Sequence, residues 1–160
     1  MTTTESTTSS PIVLGPSEGS HLNLFGQDML VRIPRESTGN RLWLGEYTID
    51  GNYGGPPPHF HRRTHEIFYV LEGELGMLVE DKEIAVKPGG LAMVGPYTRH
   101  TFYNKSGDPC RFIGITTPGD LGGYLEALPK VIAEHGFPPP ADLNAALAEQ
   151  FDGGIFSTAP

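Results

Sequence analysis

The sequence predicts an all-β chain, an antiparallel sandwich or barrel, followed by a short helical extension. Three observations carry that expectation. Glycine and proline are both abundant, at 21 and 15 of 160 residues, while charged residues make up 19%. Such a composition suits many strands joined by tight turns better than a helical bundle. Short runs rich in β-branched and aromatic residues recur from about residue 29 to 116, separated by turn residues and by no helical periodicity. After Pro118 the pattern changes, and apolar residues fall into stripes at helical spacing.

Taken in order, residues 1–10 read as a disordered polar leader, with neither the basic nor the apolar region of a signal peptide. Residues 11–118 are expected to form the barrel. Ile12-Val13-Leu14 reads as a short opening strand, and Met29 to Ile33 as a second that Pro34 ends. Ser37-Thr38-Gly39-Asn40 is a turn. Arg41 to Ile49 is the first strong strand, with Leu42 and Leu44 on one face, Trp43 and Tyr47 on the other, and Gly45 marking close packing or a bulge. A loop stiffened by Pro56-Pro57-Pro58 delivers an extended chain to His59.

Further strands are expected over Glu66 to Leu71, Glu74 to Glu80, Glu83 to Val86, Leu91 to Val94, His100 to Asn104 and Cys110 to Thr116. Residues 119–160 form the helical extension. Asp120 is a plausible N-cap for a helix carrying Leu121, Tyr124, Leu125 and Leu128, which Pro129 kinks or restarts and Gly136 stops. A second helix follows from about Ala141 to Phe151, with Leu143, Leu147 and Phe151 on one stripe. These helices would cap the barrel or a dimer interface, or form a lid over the site.

The formal net charge of −8 argues against a nucleic-acid partner, because phosphate binding needs a basic patch. No apolar run approaches the roughly 18–20 residues that cross a bilayer. Cys110 is the single cysteine, so no disulfide framework exists, and a reducing, cytoplasmic setting is the expectation.

Chemistry concentrates between His59 and Gly73. His59 and His61 are two residues apart, so on a strand both imidazoles project from one face. Glu66 follows five residues later, and an unbroken strand would send it to the opposite face. The chain must therefore turn or bulge through Arg62-Arg63-Thr64. If it does, two nitrogens and a carboxylate oxygen converge, and His100 is the best candidate to complete a ligand set for a divalent metal. His65 should face away from this group, and His21 and His135 lie outside any ligand spacing.

These residues resemble the two motifs of the cupin family. His59, His61, Glu66 and Gly73 match the first motif, whose leading glycine is here Tyr53. Gly89, His100 and Asn104 match the second, in which Gly95 and Tyr97 stand where a proline and a glycine are usual. Within the family, the strand at Glu66-Ile67-Phe68-Tyr69-Val70 and the segment from Thr117 into Tyr124-Leu125-Glu126 look like single-domain bacterial proteins related to quercetin 2,3-dioxygenase. The resemblance implies a jelly-roll barrel, commonly a homodimer, holding one divalent transition metal: iron, nickel, cobalt, manganese, zinc or copper.

Three imidazoles and a carboxylate leave an octahedral ion two open positions, enough for substrate beside dioxygen or water. The first expectation is thus a metal-dependent dioxygenase acting on a flavonol-like or other enolisable aromatic small molecule, with Glu66 as the base. A metal-assisted isomerase or polyketide-type cyclase is the alternative, and a non-catalytic small-molecule-binding cupin a third. Strand parity directs Phe68, Phe102 and Asn104 inward with the ligands, and Tyr47 and Met77 could join them in an apolar pocket, unless they only pack the core. Tyr97, replacing a glycine beside the metal strand, is the fifth pocket candidate. Arg62 and Arg99 read as solvated rim charges.

Overall fold

The computed structural model describes residues 10–155 of the chain. The polar leader, apart from Ser10, and the last five residues of the extension lie outside the described residues. Ile12-Val13-Leu14 forms no strand. The first pair is instead β1 (Ser20–Leu24) with β2 (Gln27–Ile33), whose register runs from Ser20↔Val31 to Leu24↔Gln27. Phe25 and Gly26 join them, both at positive φ, as a tight two-residue hairpin turn requires. The mixed polar composition of β1 hid it, since three of its five residues are exposed.

The extended chain at His59 forms a short strand, β4 (His59–His61), and the remaining strands fall close to their expected positions: β3 (Trp43–Ile49), β5 (His65–Glu72), β6 (Leu75–Val79), β7 (Lys82–Val86), β8 (Leu91–Val94), β9 (His100–Tyr103) and β10 (Cys110–Thr117). They form two antiparallel sheets, one ordered β1-β2-β3-β10-β5-β8 and a smaller one containing β4-β9-β6-β7. This is a β-sandwich with its core between the layers. Strict alternation builds that core: Trp43, Tyr47 and Ile49 point inward from β3, Phe68 and Val70 from β5, Leu75 and Met77 from β6, and Phe112 from β10. Full burial of Phe68 and Phe112 contributes roughly 1.5–3 kcal/mol each. Their rings join Tyr47 and Phe102 in one aromatic cluster, in which Tyr47 stacks on Phe112 at 4.7 Å.

Two glycines make room for large rings. A methyl at Gly45 or at Gly122 would overlap the Trp43 indole, which is clamped between them. The indole Nε1 donates to Glu126 Oε1 at 2.9 Å, tying β3 to the first helix.

That helix, α1 (Asp120–His135), is capped by Gly119 rather than Asp120 and runs through Pro129 without restarting. Asp120 instead accepts hydrogen bonds from Asn40 Nδ2 and Arg63 Nη2, which use its side chain for tertiary contacts. Gly136, at φ 84°, ends the helix as expected, its N–H donating to Ile132. The second helix, α2 (Ala141–Gln150), packs Leu147 of the expected stripe against the core and buries Ala148 beside it, while Leu143 stays exposed. The extension does not stay helical. It closes with β11 (Gly153–Ile155), which adds to the edge of β4. Among the described residues no helix is long and apolar enough to cross a membrane.

Candidate metal centre

The Pro56-Pro57-Pro58 run enters β4 extended, and β4 sends both His59 and His61 toward the space between the sheets. The chain then leaves the smaller sheet. Arg62-Arg63-Thr64 carries it across to β5 in the larger one, so Glu66 arrives on the inner face from the opposite layer. The required break in parity is thus a change of sheet. His65 points outward, as expected, while Glu66, Phe68 and Val70 point in. His100 opens β9 directly opposite His59 in register.

One ligand atom from each of His59, His61, Glu66 and His100 lies within 4.8 Å of all the others. Glu66 Oε2 is 3.0 Å from His100 Nε2 and 3.3 Å from His61 Nε2. The imidazole of His59 sits 4.5 Å from that of His100, centre to centre. Two backbone carbonyls orient these rings. His59 Nδ1 approaches Pro57 O at 3.0 Å and His100 Nδ1 approaches Thr98 O at 2.8 Å. With Nδ1–H donating, Nε2 is the nitrogen left for the cluster, an arrangement common behind metal-ligating histidines.

The electrostatics suit a cation. Burial, with the His100 ring beside it, pushes the His59 imidazole down to about 3, so it is neutral and offers a lone pair. Burial opposes charge on Glu66, but the adjacent His100 and His61 outweigh it and hold the carboxyl below its ordinary range. His100 is raised, because its contact with the carboxylate overcomes its own desolvation. Neither ring nitrogen of buried His61 makes a hydrogen bond of good geometry. A buried carboxylate facing three imidazoles, one of them with unsatisfied nitrogens, is a donor set that a divalent first-row ion would complete.

Four of the five residues expected in the pocket pack beside this group, Tyr47, Phe68 and Met77 as buried core side chains. Phe68 lies edge-on to His100 at 6.5 Å, Phe102 contacts Phe68 at 5.8 Å and Tyr47 at 6.2 Å, and Met77 pairs with Phe102 across the strands. Tyr97 does not join them. Its ring is 68% exposed and packs on Phe60, on the outer face of β4. What Tyr97 brings to the site is backbone: its N–H donates to His61 O at 2.7 Å. Its φ of 61° shows why glycine is usual here. Asn104 is also diverted. Its amide donates to Asp50 O and Asp108 O and accepts from Ser106, cross-linking the loops at Asp50 and at Ser106–Asp108. Arg62 pairs with Glu149 of α2, so it is not a free rim charge.

Tyr53 also packs against this aromatic group, a contact that the strand pattern did not point to. It bridges to Asn104, and its ring approaches Phe102 at 6.4 Å. The signal was available, since Tyr53 occupies the place of the first motif's leading glycine. Burial raises the Tyr53 phenol, and burial together with the nearby charge of Glu66 raises that of Tyr47, so both stay protonated.

A two-layer antiparallel barrel with three histidines and a glutamate between its sheets defines a cupin, and the sequence comparisons agree. Residues 45–116 match the Cupin_2 family model, described as a cupin domain, and the chain belongs to that superfamily. It is 30% identical over 138 residues to a quercetin 2,3-dioxygenase of Bacillus subtilis (strain 168), a match covering 80% of this chain and 37% of the relative. A glucose-6-phosphate isomerase of Thermococcus gammatolerans is 37% identical over 71 residues, 40% of this chain and 37% of that one. The chain therefore spans well under half the length of these curated relatives. Among solved structures, the polyketide cyclase RemF from Streptomyces resistomycificus superposes with a TM-score of 0.50 at 30% identity, over 62% of this chain and 68% of that one.

Proposed function

We propose that this protein is a metal-dependent dioxygenase of the quercetin 2,3-dioxygenase-like cupin type, acting on a flavonol-like or other enolisable aromatic small molecule. The observation that carries the reading is the position of Glu66, a buried ionised carboxylate bordered by three imidazoles and by the Tyr47–Phe68–Phe102–Phe112 aromatic cluster. Likeness to the Bacillus quercetin 2,3-dioxygenase over most of the chain supports it.

His59, His61, Glu66 and His100 would hold the ion, which supplies Lewis-acid charge stabilisation and, for a redox-active metal, electron transfer to dioxygen. The protein's part follows from its own groups. Phe102, half-buried beside the cluster, would present the apolar face against which a flat ring can lie, with the fully buried Phe68 packed behind it, excluding water from the reacting atoms. Tyr47 and Tyr53 retain their protons and can donate to substrate oxygens. The Glu66 carboxylate would be the acceptor for an enol or phenol proton, giving the anion that reacts. The test is oxygen uptake by protein reconstituted in turn with each first-row ion and offered a panel of flavonols and enols. Uptake that disappears in Glu66→Gln supports the reading, and its absence with every ion and substrate overturns it.

The alternative is a metal-assisted isomerase or polyketide-type cyclase, favoured by likeness to the Thermococcus isomerase and to RemF. The same carboxylate would then shuttle a proton without net oxidation, and product would form under anaerobic conditions. A non-catalytic small-molecule-binding cupin would bind its ligand without turnover, and an ion site found empty after purification favours it. The proposal includes a homodimer, a boundary near residue 118 between barrel and extension, and a cytoplasmic setting consistent with the unpaired, buried Cys110.

A further inference from the structure

The Arg62–Thr64 segment is the only covalent route from His61 to Glu66, and it contains no regular secondary structure to keep its shape. Its shape is held from a distant part of the chain. Asp152, beyond α2, is 4% exposed and turns its carboxylate onto this segment. One oxygen, Oδ2, accepts from Arg63 N at 2.8 Å, Thr64 N at 2.9 Å and Thr64 Oγ1 at 2.8 Å. The other faces Arg63 Nε at 3.4 Å. The Asp152 carbonyl accepts from Arg62 N at 3.3 Å. Consecutive backbone amides at 62, 63 and 64 are therefore all satisfied by one residue.

The flanking contacts run the same way. Gly153 pairs with His61 and Ile155 with His59, laying β11 along the strand that bears two of the four ligands. Glu149 pairs with Arg62. Asp152 itself sits at φ 74°, a conformation that aspartate tolerates better than most side chains and that aims the carboxylate back at the turn. Thr64 is fully buried, so without Asp152 its hydroxyl and amide would have to find other partners inside the protein.

We infer that Asp152 is a positioning residue for the metal centre: by binding the turn between His61 and Glu66 it sets the separation of those two ligands, and the C-terminal segment is thus part of the site. This rests on the metal-site reading above. Residues that orient ligands without touching the ion commonly change affinity by about 10–100-fold when removed, and an effect near tenfold is expected here.

The experiment titrates Co2+ alone into the full chain, reading the visible absorption band of the ion and its dissociation constant. Asp152→Ala is expected to weaken Co2+ binding about tenfold or more and to alter the band, while Asp152→Asn, which keeps one acceptor oxygen, recovers part of the affinity. Thr64→Val removes a single hydrogen bond, serves if Asp152→Ala does not fold, and should weaken binding in the same direction. Leu24→Ala, a buried truncation on β1, controls for general loss of stability and should leave the affinity unchanged. Unaltered affinity and band in Asp152→Ala or, where that fails to fold, in Thr64→Val overturns the inference, as does an equal loss in Leu24→Ala. A folded parent chain that binds no Co2+ removes the metal-site reading itself, and this inference with it.

Discussion

Glu66 Oε2 lies 3.0 Å from His100 Nε2 although the two residues belong to different sheets. Neither sheet contains the full ligand set. The site therefore exists only when both layers are docked, and occupancy of the site should report on that docking.

Removing a ligand tests this most directly. His100→Ala should lower Co2+ affinity by more than about 100-fold, beyond what loss of an orienting residue costs. In the parent chain, ion at a hundredfold excess over its dissociation constant should add about 2.7 kcal/mol of stability. Thermal unfolding with and without Co2+, and again after chelation, would show that increment in the parent and not in the variant.

Tyr97 provides a contrary case. Its left-handed backbone costs a non-glycine residue about 1–2 kcal/mol, and its ring is mostly in water. Tyr97→Gly should relieve that strain, offset in part by lost contact with Phe60 and by the flexibility of glycine in the unfolded chain. Urea unfolding is expected to show a change within about 1 kcal/mol of the parent. Co2+ affinity should stay within about twofold, because the amide that binds His61 O remains.

The Trp43 indole has no room to retreat. Gly122→Ala would drive a methyl into a ring already backed by Gly45 and tied to Glu126. Overpacking of this kind typically costs about 1–3 kcal/mol. Denaturation of the variant, with a lowered midpoint and unchanged slope, checks it.

Cys110 makes stability depend on alkaline pH. Burial, with a smaller contribution from Glu74, pushes its thiol from 9.0 up to about 11. The neutral form is thus favoured by folding. Its contribution is complete below pH 9 and is lost as pH rises from 9 to 11, by up to about 2–3 kcal/mol. Stability measured across that window should fall less steeply in Cys110→Ala than in the parent. The slope that remains belongs to groups such as buried Tyr47, which is raised in the same direction.

Much of this molecule was legible in one dimension because it depends on short-range rules. Apolar runs between turn residues identified β3 and the strands from β5 to β10, and side-chain alternation gave the inward direction of Phe68. The spacing of His59, His61 and Glu66 demanded a break at Arg62–Thr64, since side-chain parity cannot be violated within a strand. What escaped depends on partners distant in sequence. β1 and β11 lack strand-like composition, and each exists because a neighbour supplies hydrogen bonds. Tyr97 and Asn104 were aimed by turn geometry, which a one-residue change in backbone conformation redirects. The chain by itself thus determined which side chains can ligate and how the strands face. The docking of two sheets decided that the four ligand groups meet, and the closing of the chain end against β4 brought Asp152 to the turn between them, where its carboxylate accepts from the amides of Arg63 and buried Thr64.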